Sequence, residues 1–267
     1  MTKSIPIDQK LGCDKHGVDN AILIKASVAE VSWVIQEYFG LEVRSCCQLA
    51  EYIASWKASW EEIERQRQVR KSRPEKSCPP IVWATPFWQY LNHQWVFLPL
   101  SGTQDAIAFA FASLLNTDVI TFHDSDNVSL TEFKVFRSDR LIEHYLYGDE
   151  SGKPIDHYWD ISTSFEYFGD RPDPHYFKSA VRQVTESEIR EALAARKQDN
   201  RGDRGFVDAC LKYYGAYIPL LEETPYHYYG NWNTNYQDWD AIVERMDMML
   251  VPSNWKYADR IVPNQVR

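Results

Sequence analysis

Apolar positions along this chain follow two periods, and both are clearest between Thr103 and Gly148. Ile107, Phe111, Leu114 and Leu115 recur at helical spacing within the apolar run Ala106–Leu115, which predicts a helix with one face to be covered. Asn116-Thr117 then turns the chain into three runs of strand character: Asp118–His123, Ser129–Arg137 and Leu141–Tyr147. The breaks between them, residues 124–127 and 138–140, consist of turn-forming residues. An antiparallel meander of these three strands is the natural cover for the helix.

The flanking segments extend this pattern in both directions. Ala21–Lys25 reads as a short buried strand, and Ser27 with Glu30 three residues on is a capping box opening a helix that Gly40 stops. A longer helix is predicted over Cys46–Arg70, with Leu49, Ile53, Trp56, Trp60 and Ile63 on one face and a basic, solvated end. Val82-Trp83, Phe87–Leu91 and Gln94–Leu98 read as strands, the last two joined by a turn at Asn92-His93. Beyond Gly148 the composition shifts. A strand is expected around Ile161–Tyr167, helices from Thr185 to Arg196, over Phe206–Tyr214 and over Asp238–Met249, and a tail packed through Trp255 and Ile261.

Together these elements predict an α+β fold: a mixed or antiparallel sheet with helices packed on one face and an irregular, aromatic-rich C-terminal portion. Residues 1–150 form the expected sheet domain, and 151–267 a helical, loop-rich aromatic portion packed with it. The runs Ile22–Ser27, Trp95–Leu100, Leu115–Phe122 and Leu141–Tyr145 resemble a group of uncharacterised, mostly cyanobacterial proteins. The resemblance covers about half of the chain. It implies a soluble bacterial α+β domain and transfers no activity.

Charge changes the picture more than size does. A net charge of -9 over 267 residues argues against nucleic-acid binding, which rests on neutralising phosphates, and favours a basic protein as partner. The five cysteines, at 13, 46, 47, 78 and 210, form neither a CxxC pair nor a zinc-ligand spacing, and their odd number suits a reduced compartment. The first residues lack the apolar core of a signal peptide, and no apolar run is long enough to span a bilayer. A cytoplasmic protein without membrane attachment, cofactor or resident metal is therefore expected.

Two stretches offer chemistry. His123-Asp124-Ser125-Asp126 places an imidazole and two carboxylates at a strand end, as a hydrolase or a metal site requires, with His144 and His157 as further candidates. An EF-hand is excluded, because Ser129 and Val135 stand where that loop needs Gly and Glu. The structural alternative is a hairpin turn whose Asp and Asn side chains bond their own backbone. Residues 226–239 interleave aromatic rings with polar groups, and Tyr226, Tyr228, Tyr229, Trp232, Tyr236 and Trp239 are the candidate partner-binding residues. A sugar site there would recruit Asp238 or Asp240 with Glu222 or Glu223 as acid and base. The bland reading of the same stretch is a loop that buries its own rings. Dinucleotide, P-loop, GxSxG, HExxH and kinase signatures are all missing from the sequence. The expectation is thus a non-enzymatic protein-binding module, such as an adaptor, assembly factor or immunity-type inhibitor. Its rivals are a hydrolase built on His123, Asp124 and Asp126, and a small-molecule sensor.

Overall fold

A computed structural model describes residues 6–13, 18–72, 78–99, 104–125, 130–147, 175–182, 204–220, 223–225, 227–228, 231–232 and 239–256. The strands are β1 (Gly12–Cys13), β2 (Asn20–Ile24), β3 (Glu42–Arg44), β4 (Val82–Tyr90), β5 (Val96–Leu98), β6 (Asp118–Ser125), β7 (Leu130–Arg137), β8 (Arg140–Tyr147), β9 (His175–Ser179), β10 (Tyr217–Ile218), β11 (His227–Tyr228), β12 (Asn231–Trp232) and β13 (Val243–Pro252). The helices are α1 (Val28–Glu37), α2 (Leu49–Ser72), α3 (Gln104–Leu115), α4 (Arg204–Tyr214) and the single turn α5 (Trp239–Ile242).

Nine strands form one sheet in the order β3-β13-β4-β5-β2-β6-β7-β8-β9, and every pairing in it is antiparallel. The α+β class is as the sequence predicts, and the meander β6-β7-β8 pairs in sequence order. At α1 the Ser27 hydroxyl accepts from the Glu30 amide and the Glu30 carboxylate accepts from the Ser27 amide, closing the anticipated capping box. Gly40 follows at φ +62, a conformation that a side chain would strain.

Three expectations need correction. First, helices cover both faces of the sheet rather than one. Ile22, Ile24, Phe87, Val96, Leu98, Val119, Phe136 and Met249 pack with α1 and α3, while their alternating neighbours Leu23, Trp88, Phe97, Ile120, Phe133 and Met248 pack with α2 and α4. Strands buried on both faces read as continuous apolar runs, as in Ala21–Ile24, and that run is the local sign of a second covering layer. Second, the helix expected over Asp238–Met249 is only the turn α5, and Val243–Pro252 is a strand. Glu, Arg, Met and Leu favour helix, but pairing with β3 on one side and β4 on the other overrides that preference. Third, Val82-Trp83 and Phe87–Leu91 belong to one strand, β4, running through Pro86. Proline is tolerated there because β5 pairs with β4 only at Trp88 and Gln89, so one edge of the strand is open at Pro86.

The division near residue 150 does not separate two sheets. β9 extends the meander at β8, and β13 enters between β3 and β4. The strand around Ile161–Tyr167, the helix from Thr185 to Arg196 and the tail residue Ile261 fall outside the described residues. Trp255 packs where the sequence places it, its indole N–H donating to the Phe39 carbonyl at 3.3 Å.

Because β13 joins the two halves of the chain, its buried side chains should dominate stability. Met248 is fully buried against β4 and the α2 layer. Met248→Ala should lower the free energy of unfolding by about 2–5 kcal/mol. Urea unfolding should register this as an earlier midpoint with an unchanged slope.

Candidate functional site

The α1/α3 face of the meander carries a cluster of charge. In register across three strands lie His123 opposite Glu132 and Thr121 opposite Lys134, with Lys134 in turn opposite His144. The Lys134 ammonium donates to Asp105 on α3 at 2.6 Å and lies 2.8 Å from Glu132. His144 Nε2 donates to the same Glu132 oxygen at 3.0 Å. His123 is half-buried at the end of this row and bonds through Nδ1 to the Asn20 side chain on β2.

Electrostatics fix Lys134 and Glu132 in their charged forms. Burial would pull Lys134 down, but Glu132 and Asp105 outweigh it and hold the ammonium above its usual range. Burial would push Glu132 up, but Lys134 and His144 outweigh it and hold this carboxyl well below the usual range. Asp105 goes the other way: burial raises it, and the neighbouring lysine compensates only in part. A lysine locked as ammonium between two carboxylates is no nucleophile or base at neutral pH. The arrangement ties α3 to the meander rather than presenting reactive groups.

The predicted cluster does not converge. Asp124 follows His123 along β6 and so points to the opposite face, where it is buried and accepts from the Thr131 hydroxyl at 2.9 Å. Asp126 lies outside the described residues, as do His157, Asp156 and Asp160. Of the further histidines considered, His144 does share the face of His123, through Glu132 rather than through a metal. No group of three or more potential ligands that could hold a metal occurs among the described residues.

The aromatic C-terminal stretch is also placed differently. Trp239 is buried against Trp88 and Tyr90, with centroids 5.5 and 6.5 Å apart, so this ring is core and cannot anchor a partner. Its position at the end of β13 explains the burial: α5 delivers it onto the α2/α4 face. Tyr228 and Trp232 lie on the β11–β12 hairpin, while Tyr226, Tyr229 and Tyr236 lie outside the described residues. Glu223 is committed to the Tyr217 hydroxyl and Lys10, which removes it as a catalytic acid. Glu222 and Asp238 are outside the described residues.

Sequence reasoning missed two features. On the α4 side, Glu143 is fully buried and accepts from Arg182 at 2.6 and 2.9 Å, Ser179 at 3.0 Å and Tyr214 at 3.1 Å. These residues are far apart along the chain, and no spacing announces them. The other feature is the exposed side of α2. Only Tyr52, Ser59 and Gln66 of this 24-residue helix are fully buried. Trp56 and Trp60 lie 5.5 Å apart, Trp60 meets Trp83 edge-on at 5.9 Å, and Trp60 and Val82 are 38% and 45% exposed. Beside them runs a groove of about 400 Å³, whose lining includes Arg44, Ala58, Glu62, Ile81, Val82 and Leu250. The helical stripe of Trp56, Trp60 and Ile63 was legible as a face to be covered; that the fold leaves part of it open was not.

Comparison with protein-family models, with curated proteins and with solved structures finds no match. Among the described residues no helix is long and apolar enough to cross a membrane.

The charge cluster gives a sharp test of its structural role. Lys134→Met removes the ammonium that bridges Asp105 and Glu132 and should destabilise the fold by about 3–5 kcal/mol, the usual consequence of leaving a buried partner uncompensated. Asp105, freed of its ammonium, should take up protons at higher pH than before. The variant should therefore recover stability as pH falls through the raised Asp105 value, measured as a shift of thermal midpoint with pH.

Proposed function

We propose that this protein is a non-catalytic binding module for another protein, and that the partner docks on the open side of α2. The observation carrying this reading is the contact chain Trp56–Trp60–Trp83, half-open to solvent, on the same helix and strand whose residues Ser55, Ala58, Ser59, Glu62, Val82 and Ala84 line a groove about 400 Å³ in volume. Tryptophan combines large apolar area with few rotatable bonds, and such rings are enriched among the residues that dominate binding energy. A concave, mainly apolar groove next to them supplies space for side chains of the partner. The net charge of -9 favours a partner with a basic surface, since opposite charge speeds encounter and suppresses wrong pairings.

The docking surface in this reading is α2 with β4, in place of residues 226–239, because Trp239 is part of the core. The hydrolase alternative loses support from the same geometry: His123 and Asp124 point to opposite faces, and Lys134 is held as ammonium.

The test uses the full chain as bait in its native lysate, followed by reconstitution with the purified partner. Trp60→Ala should weaken the reconstituted complex at least about tenfold, as expected for an interface anchor, and leave the thermal midpoint of the free protein within a few degrees. A partner bound equally well by the variant would place the interface elsewhere. Absence of any stoichiometric partner would defeat the reading.

A further inference from the structure

Cys46 and Cys47 sit between β3 and α2, at the edge of the sheet. Their backbone is pinned to β13: the Cys46 amide donates to the buried Asp247 carboxylate at 2.8 Å, and the Cys47 amide to the Met246 carbonyl at 2.9 Å. Cys46 holds φ at +54, a left-handed conformation that side chains rarely adopt. It is also the exposed cysteine of the chain; Cys13, Cys47 and Cys78 are half-buried and Cys210 is buried.

The two thiols differ in environment. Arg245 is paired with Asp247 at 2.9 Å, and that bond holds the guanidinium above its usual range. Cys46 is open to a reagent in solution, and access is one of the conditions for a cysteine to react. The Cys47 thiol is pushed up, first by burial and then by Glu51 and Asp247, which outweigh the opposing pull of Arg44, and its Sγ donates to the Arg44 carbonyl at 3.2 Å. Cys47 is therefore the less accessible of the two sulfurs.

We propose that Cys46 and Cys47 form a thiol-modification site for low-molecular-weight disulfides of the glutathione class, with Cys46 attacking and Cys47 resolving. The Cys46 thiolate attacks one sulfur of the disulfide RSSR; the S–S bond breaks, one RS⁻ departs, and the other half stays on Cys46 as a mixed disulfide. Cys47 then gives its proton to water and attacks the Cys46 sulfur, expelling the second RS⁻. One small disulfide is reduced to two thiols while two protein thiols become one Cys46–Cys47 disulfide. Neighbouring Cα atoms are about 3.8 Å apart, below the span of roughly 4.4–6.8 Å of relaxed disulfides, so the closed bond is readily reduced again. This reversibility makes the pair a switch rather than a staple. It stands independently of the docking surface on α2.

The experiment exposes the reduced full-length protein to oxidised glutathione and follows intact mass, with fragment spectra assigning each sulfur. The first adduct should fall on Cys46 and then give way to a chain two hydrogens lighter than the reduced one, with both Cys46 and Cys47 oxidised. Cys47→Ser should arrest at the adduct, and Cys46→Ser should lose both products; circular dichroism checks that each variant is folded. A first adduct on Cys13 or Cys78, or no adduct, overturns the proposal. So does a Cys46 adduct that persists in the wild type as long as in Cys47→Ser. Mapping of the wild-type protein decides the matter even where a variant fails to fold.

Discussion

Val243–Pro252 bonds to β4 along nearly its whole length while β3 bonds to its other edge, and this ladder is the constraint under which the other elements take their places. Without it, β4 would be an edge strand beyond β5, and β3 would have no sheet to join. The strand arrives late in the chain and inserts between two early ones, so the N-terminal elements cannot complete the sheet alone. Long-range closure of this kind is costly in chain entropy and is recovered only when both faces of the new strand find apolar cover. Met246 and Met248 supply one face and Met249 the other.

Asp247 shows how that closure is locked. It is buried on β13, yet it accepts from Ser32 on α1 at 2.5 Å, from the Cys46 amide and from Arg245. Burial would raise its carboxyl, but Arg245 and the donated hydrogen bonds outweigh this and hold it below the usual range. A single carboxylate thus fixes α1, the entry to α2 and β13 relative to one another. Any change of backbone at Cys46 acts directly on this joint, which is why a thiol there can report on, or alter, the packing around it.

How much of this was legible in the sequence depends on the range of the interaction. The capping box at Ser27, the apolar face of α3 and the meander over residues 118–147 rest on local spacing and turn chemistry, and the structure has them within one or two residues. β13 was read as helix because its residues have helical propensity, and its strand state comes from partners at residues 42–44 and 82–90. The second helical layer had a local trace, since a run apolar at every position such as Ala21–Ile24 needs cover on both faces, but which helices supply that cover is set by contacts far apart along the chain. Of the candidate site, the shared face of His123 and His144 followed from strand order, but Glu132 and Lys134 between them had no signature. Asp124 could have been removed beforehand, since adjacent residues of a strand cannot face the same way.

The two charged clusters also bear on what the fold can be asked to do. Asp105–Lys134–Glu132–His144 fastens α3 to one face of the meander, and Glu143–Arg182–Tyr214 fastens α4 to the other. Each leaves its carboxylates and cations mutually satisfied, which favours a unique arrangement of helices over reactivity. With both faces of the meander clamped in this way, α2 keeps a solvent face that carries Trp60, as α1 keeps Trp33 and α4 keeps Tyr213 exposed. Tyr52, Ser59 and Gln66 of this helix are buried, Leu49, Ile53 and Trp56 pack partly buried beside them, and Trp60 lies over Trp56 and Trp83 at the rim. Retaining an indole there is easier to understand if its surface is used after folding than if it serves folding itself.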